Sequence, residues 1–126
     1  MNDSHARILI VDDEPANATL AGRNLQRLGY QTVTFTHPRE ALSWAQEHPE
    51  KFDLLLTDLT MPGLTGTELI RQIGLLRPEV PSILCSGYLD AMEGQALELE
   101  HVRHVLGKPF TIEELSRAVA KALTQA

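Results

Sequence analysis

The stretch RILIVDDEPANATLAGRNLQRLGYQTVTF, residues 7–35, contains a complete strand–helix–strand unit. Its first five residues are mostly branched and apolar, which is typical of a strand buried on both faces. From Pro15 onward the apolar residues fall three or four positions apart, which is the helical period, and Gly29 ends the pattern. Residues 31–35 then alternate polar and apolar side chains, which predicts a second strand with one wetter face at an edge of the sheet.

Strands and helices continue to alternate along the rest of the chain. A Thr–Glu capping box opens two of the helices, Thr65 with Glu68 and Thr111 with Glu114. Gly94 weakens the helix expected over Leu89–Leu99. The predicted strands are Arg7–Val11, Gln31–Phe35, Phe52–Thr57, Ser82–Cys85 and Val102–Leu106, with a helix after each.

This alternation decides the fold class. Strands that alternate with helices require right-handed crossovers and a parallel sheet covered on both faces. A chain of 126 residues fits one domain, and no repeat or linker interrupts the pattern. We therefore expect a single α/β domain over residues 1–126, with five strands, five helices and a core over about residues 7–123.

Composition excludes several classes of protein. Eleven Lys and Arg against 17 Asp and Glu give a net charge of −6, and no dense basic stretch stands out, so we expect no direct binding of nucleic acid. The single cysteine, Cys85, excludes an internal disulfide and metal sites built from several cysteines. No apolar run approaches the roughly 20 residues of a membrane span. The polar residues 1–7 favour a cytoplasmic location.

Polar and charged residues follow the predicted strands. Asp12 and Asp13 come after the first strand, Asp58 after the third, Ser86 after the fourth and Lys108 after the fifth. In an open parallel sheet, ligands bind beyond the carboxyl ends of the strands. If these strands are neighbours, the groups converge on one shallow pocket.

The chemistry of these groups suits phosphoryl transfer. Three carboxylates within a few ångströms repel one another, and Mg²⁺ with oxygen ligands removes that penalty. A carboxylate in such a place is also a nucleophile toward phosphorus, giving an aspartyl phosphate. The three phosphoryl oxygens need neutralising partners, for which the metal, the Lys108 ammonium and the Ser86 hydroxyl are available.

Four strings together resemble the receiver domain of two-component response regulators. They are VDDEP (11–15), LLLTDLTMPGLTG (54–66), SG (86–87) and KPF (108–110), in the order expected for that family. The resemblance runs from about Arg7 to Leu123. It implies a flavodoxin-like, doubly wound sheet with strand order 2-1-3-4-5.

The resemblance also implies a phosphorylation and metal site. Asp58 would be phosphorylated by a histidine kinase or a phosphotransfer protein. Asp13 and Asp58 would bind Mg²⁺ directly, together with the backbone carbonyl of Thr60, and Asp12 would act through metal-bound water. By this resemblance the chain is a phosphoacceptor rather than an enzyme, and only slow self-dephosphorylation is expected.

Further residues have roles only through the resemblance. Lys108 would hold the phosphoryl group and Ser86 would move toward it as the switch hydroxyl. The bond from Lys108 to Pro109 would be cis, since cis bonds are rare outside proline. Thr60 and Tyr88 would border the path of the hydrolysing water, and the bulky phenol predicts slow loss of phosphate.

The sequence departs from the family pattern at Val105, where most receivers have an aromatic residue whose rotamer reports the switch. A branched aliphatic cannot take that role, so we hypothesise that Tyr88 takes part of it.

The strings around Asp58 and Ser86 are similar to receivers attached to hybrid sensor kinases. Met1 favours a stand-alone receiver, and the alternative that the chain is a segment of a hybrid kinase stays open.

Two other functions stay open. A pseudo-receiver would bind partners without phosphorylation; the complete set of site groups argues against it, and Val105 keeps this alternative open. A Mg²⁺-dependent phosphatase of the haloacid-dehalogenase kind also uses an aspartate nucleophile at a strand end. That class needs a second acid two residues after the nucleophile, where this chain has Thr60.

Overall fold

Five parallel strands form one sheet in the order β2-β1-β3-β4-β5, with helices on both faces. The computed structural model describes residues 6–87 and 102–124. The strands are β1 (Arg7–Val11), β2 (Gln31–Phe35), β3 (Leu54–Asp58), β4 (Ser82–Ser86) and β5 (Val102–Gly107). The helices of the described residues are α1 (Pro15–Arg27), α2 (Pro38–Glu47), α3 (Gly66–Leu76) and α4 (Ile112–Thr124).

The flavodoxin-like, doubly wound fold is confirmed, including its strand order. The edge position of β2 is confirmed as well, and its residues are half-buried or exposed. The helix predicted over Leu89–Leu99 lies outside the described residues. No helix in the described part of the chain is long and apolar enough to cross a membrane.

Two apolar cores lie on opposite faces of the sheet, because successive side chains of a strand point to opposite faces. We call them the α2–α3 core and the α1–α4 core, after the helices that cover them. The α2–α3 core includes Leu9, Val11, Ala41, Ala45, Leu55, Leu69, Ile70, Ile73 and Leu84. The α1–α4 core includes Ile8, Ile10, Leu25, Leu54, Leu56, Ile83, Cys85, Leu115 and Val119.

Both predicted capping boxes are present. The Glu68 amide donates to Thr65 Oγ1 at 3.3 Å, and the Thr65 amide donates to the Glu68 carboxylate at 3.4 Å. In the second box, the Glu114 amide donates to Thr111 Oγ1 at 3.1 Å, and the Thr111 amide donates to the Glu114 carboxylate at 2.9 Å. Each box satisfies two amides that the first turn of a helix leaves without intrahelical partners.

The boundaries of β3 differ from the prediction. The strand begins at Leu54 rather than at Phe52, whose buried ring packs beside Trp44 with its centroid 5.9 Å away. Phe52 is apolar because its ring packs in the core, and the sequence pattern therefore included it in the strand. At the other end, β3 includes Asp58, β4 includes Ser86 and β5 includes Gly107. The prediction ended these strands before an aspartate, a serine and a glycine, whereas pairing between backbones continues through such residues.

Candidate phosphoryl-transfer site

The carboxyl ends of β1, β3, β4 and β5 bring the predicted groups to one edge of the sheet. Asp12 and Asp13 follow β1 directly, and Asp58 is the last residue of β3, where it pairs with Cys85 of β4. Lys108 follows β5, and its amide donates to the carbonyl of Ser86 at 2.8 Å. Because the ladders hold these residues at strand ends, the edge is positioned by the sheet rather than by loops.

Three carboxylates form the centre of this edge. Asp12, Asp13 and Asp58 each offer a carboxylate oxygen, and these oxygens all lie within 4.8 Å of one another. A set of carboxylate oxygens is a donor set that Mg²⁺ accepts, usually with several waters retained. The residues present therefore fit the metal that the sequence predicts.

Lys108 lies between two of these carboxylates. Its Nζ is 2.9 Å from Asp12 Oδ2 and 3.1 Å from Asp58 Oδ1. The other oxygen of Asp12 accepts a hydrogen bond from the Glu14 amide at 3.0 Å, so Asp12 also caps the turn that leads into α1. The peptide bond from Lys108 to Pro109 is cis, as predicted.

Partial burial gives this site its electrostatics. Burial raises the pKa of the Asp58 carboxyl above 3.8, and the Asp12 charge adds to the rise, whereas Lys108 opposes it. Burial alone would lower the pKa of Lys108, but its hydrogen bonds and ion pairs with Asp12 and Asp58 outweigh burial, and the net pKa is raised. Lys108 is therefore a firmly charged ammonium beside a carboxylate that is costly to ionise.

A well-packed loop joins Asp58 to α3. The Leu59 amide donates to the carbonyl of Cys85 at 2.9 Å, and the Gly66 amide donates to the carbonyl of Leu59 at 2.8 Å. Met61 and Leu64 anchor the loop in the α2–α3 core. Thr60, the predicted carbonyl ligand, lies in this loop with its side chain exposed.

Gly66 is a site residue that the sequence analysis did not identify. A Cβ at this position would overlap the carbonyl oxygen of Asp58 and approach the Cα of Leu59 to 2.9 Å. Only glycine therefore lets α3 begin this close to the end of β3. A glycine directly after the capping Thr65, where a helix usually prefers a better helix former, was the available signal.

A cavity of about 340 Å³ opens beside Asp58, between α1 and the loop after β5. It has an apolar floor, and the exposed Leu20 stands on its rim. The sequence analysis predicted a shallow pocket at the strand ends, but not its extension along α1 past Asn17 and Leu20. Its lining includes Asp12, Asn17, Leu20, Asn24, Lys108 and Phe110.

The remaining predicted residues lie as follows. Ser86 ends β4 and is 2% exposed. Val105, at the position where an aromatic switch residue was expected, is half-buried in β5 and packs against the α2–α3 core. Tyr88 lies outside the described residues, so its predicted part in the switch and in hydrolysis stays a prediction.

Comparisons with known proteins agree with this arrangement. A family model described as response regulator receiver domain matches residues 8–120. Sporulation initiation phosphotransferase F of Bacillus subtilis is 32% identical over 119 residues, which cover 93% of each chain. A response regulator receiver domain protein from Clostridium thermocellum has a TM-score of 0.88 and 27% identity, over 95% of each chain.

Length differs among the similar proteins. The receiver domain of the hybrid histidine kinase CckA has a TM-score of 0.80 and 32% identity, and the match covers 94% of this chain and 100% of that one. By contrast, this chain spans only 12% to 28% of the length of four other curated relatives. The similarity therefore concerns the domain, and the activities of the longer proteins do not follow from it.

Proposed function

The chain belongs to the response regulator receiver domain family, and we propose that Asp58 accepts a phosphoryl group in a two-component phosphorelay. The observation that carries this proposal is the position of Asp58 within 4.8 Å of the Asp12 and Asp13 carboxylates and 3.1 Å from the Lys108 ammonium. Lys108, which opposes the rise in the Asp58 pKa, is placed to neutralise a phosphoryl group on Asp58, and the carboxylates are placed to hold a cation that would do the same.

In the proposed reaction, a carboxylate oxygen of Asp58 attacks the phosphorus of a phosphohistidine on a histidine kinase or phosphotransfer protein. The new O–P bond forms as the P–N bond breaks, and the imidazole leaves with the electron pair of that bond. Asp58 becomes an acyl phosphate. Lys108 is already in contact with Asp58 Oδ1, and it would then pair with a phosphoryl oxygen.

Mg²⁺ would neutralise the phosphoryl oxygens when bound. Asp13 and Asp58 would hold it directly, with the carbonyl of Thr60, and Asp12 would act through water. Asp12 has a second task, since it accepts hydrogen bonds from Lys108 and from the Glu14 amide. It thereby orients the ammonium and fixes the turn after β1.

Phosphorylation would act as a switch through Ser86. Ser86 ends β4, one residue after Cys85, which pairs with Asp58. We propose that its hydroxyl moves toward the new phosphoryl oxygens and that this changes the surface over residues 89–123 for a partner. The cytoplasmic location expected from the sequence belongs to the same proposal.

The test is incubation with Mg²⁺ and acetyl phosphate, followed by intact mass spectrometry. One phosphoryl adduct is expected in the wild type, with none in Asp58→Asn or in the presence of a chelator. Asp53→Asn is the matched control, because this exposed carboxylate lies just before the start of the same strand. No adduct in the wild type would favour a pseudo-receiver, and release of phosphate from a free phosphate ester would favour the phosphatase.

The lifetime of the phosphoryl group tests the role proposed for Tyr88, which together with Thr60 would border the path of the hydrolysing water. The phenol of Tyr88 should hinder the in-line attack of water, so Tyr88→Ala should lose phosphate faster than the wild type. Tyr88→Phe is the matched control because it keeps the bulk. Equal rates of phosphate loss in the wild type and Tyr88→Ala would contradict this role.

A further inference from the structure

A buried hydroxyl lies in the central strand next to the proposed phosphorylation site. Thr57 is 1% exposed, and its neighbours across the sheet are Val11 of β1 and Leu84 of β4. Residues paired in register point to the same face, so the Thr57 side chain faces the α2–α3 core, to which Val11 and Leu84 belong. Burying a hydroxyl in apolar surroundings is costly unless it forms a hydrogen bond.

The partner of this hydroxyl is part of the proposed site. Thr57 Oγ1 donates to the carbonyl oxygen of Asp58 at 3.0 Å. The same carbonyl lies against Gly66, where a Cβ would overlap it. On the other side of this peptide, the Leu59 amide donates to the carbonyl of Cys85. The peptide that joins Asp58 to Leu59 is thus held at its oxygen by Thr57 and at its nitrogen by β4.

We propose that Thr57 is a positioning residue, whose hydroxyl fixes the plane of the peptide after Asp58. That plane sets the direction in which the Asp58 carboxylate leaves the strand and the course of the chain toward the Thr60 carbonyl. Both groups are proposed ligands of Mg²⁺, so the inference rests on the proposed function, and it adds a residue that contacts neither metal nor phosphate.

Two substitutions separate positioning from packing. Thr57→Val keeps the shape of the side chain in an apolar environment and removes only the hydrogen bond. Thr57→Ser keeps the hydrogen bond and removes a methyl group from the core, which destabilises the fold. A purely structural residue would lose stability and metal affinity together in each variant.

The first measurement needs no metal. In the metal-free protein, the amide resonances of Leu59 and Thr60 should shift in Thr57→Val and stay near their wild-type positions in Thr57→Ser. Mg²⁺ is then titrated against the same resonances. The midpoint should rise about threefold to tenfold in Thr57→Val, the effect of one hydrogen bond, and stay at the wild-type value in Thr57→Ser. Urea unfolding should show the larger loss of stability in Thr57→Ser.

A wild-type Mg²⁺ midpoint in Thr57→Val would overturn the inference and leave the proposed function intact. Failure of the wild type itself to bind Mg²⁺ or to accept phosphate would instead contradict the proposed function. If Thr57→Val does not fold, Thr57→Ala replaces it. A higher Mg²⁺ midpoint in Thr57→Ala than in Thr57→Ser would support positioning, and equal midpoints would overturn it.

Discussion

The middle of the sheet and its carboxyl edge are built from the same strands and have opposite chemistry. In the middle, Leu9, Leu55 and Ile83 are completely buried among apolar side chains. At the edge, a few residues further along the strands, three carboxylates lie close together, and two of them pair with one ammonium. Apolar burial in the middle therefore provides stability, and this stability offsets the repulsion between the carboxylates held together at the edge.

The largest effect on stability is expected in the middle of the sheet. Leu55→Ala removes a fully buried side chain from β3 and should lower the free energy of unfolding by about 2–5 kcal/mol in urea denaturation. Leu75→Ala is the matched control, since this leucine is 76% exposed, and it should change the free energy by less than about 0.5 kcal/mol. Equal losses in the two variants would contradict the contrast between buried and exposed leucines.

A smaller loss of stability is expected where the middle of the sheet meets its carboxyl edge. Gly66→Ala forces a Cβ against the Asp58 carbonyl and should cost about 1–3 kcal/mol, the range for overpacking. It should also slow phosphorylation by acetyl phosphate, because Asp58 must move. Gly87→Ala is the stability control, since a Cβ there meets no atom of residues 6–87 and 102–124 within 4 Å. A variant at Gly66 with wild-type stability and wild-type phosphorylation would refute the close approach.

The smallest effect is expected from the charge at the edge, and it depends on pH. Burial raises the pKa of Asp58, so the folded protein holds this proton more tightly than the unfolded chain. Ionised Asp58 therefore costs stability above its raised pKa, and the cost disappears as pH falls through that pKa and below 3.8. In metal-free buffer at pH 7, the free energy of unfolding of Asp58→Asn should equal or exceed that of the wild type. The difference between the two should narrow as the pH falls. A stability difference that grows as the pH falls would contradict the raised pKa of Asp58.

Much of the fold follows from the sequence, since the apolar runs and the helical stripes have distinct periods. The carboxyl edge was also predictable, because four separate strand ends carry the groups that one site requires. The inclusion of Asp58 and Ser86 within their strands was not predictable, since pairing between backbones leaves no mark in side-chain polarity.

Contacts across the fold were the least visible in the sequence. The hydrogen bond from Lys108 to Asp12 joins residues 96 positions apart, and no local pattern specifies it. Likewise, Gly66 and the Asp58 carbonyl meet only after α3 has packed on the sheet. Such contacts depend on how elements pack, whereas periodicity reports only which elements form.

Chemical trapping tests directly whether the Asp58 carboxylate takes the phosphoryl group. Sodium borohydride reduces an acyl phosphate by two hydride additions to the carboxyl carbon. The first expels phosphate and leaves an aldehyde, and the second gives the alcohol, so that aspartate becomes homoserine. After treatment with Mg²⁺, acetyl phosphate and then borohydride, peptide mass spectrometry should find homoserine at position 58. Aspartate unchanged at position 58, with homoserine at another aspartate or at none, would contradict this assignment.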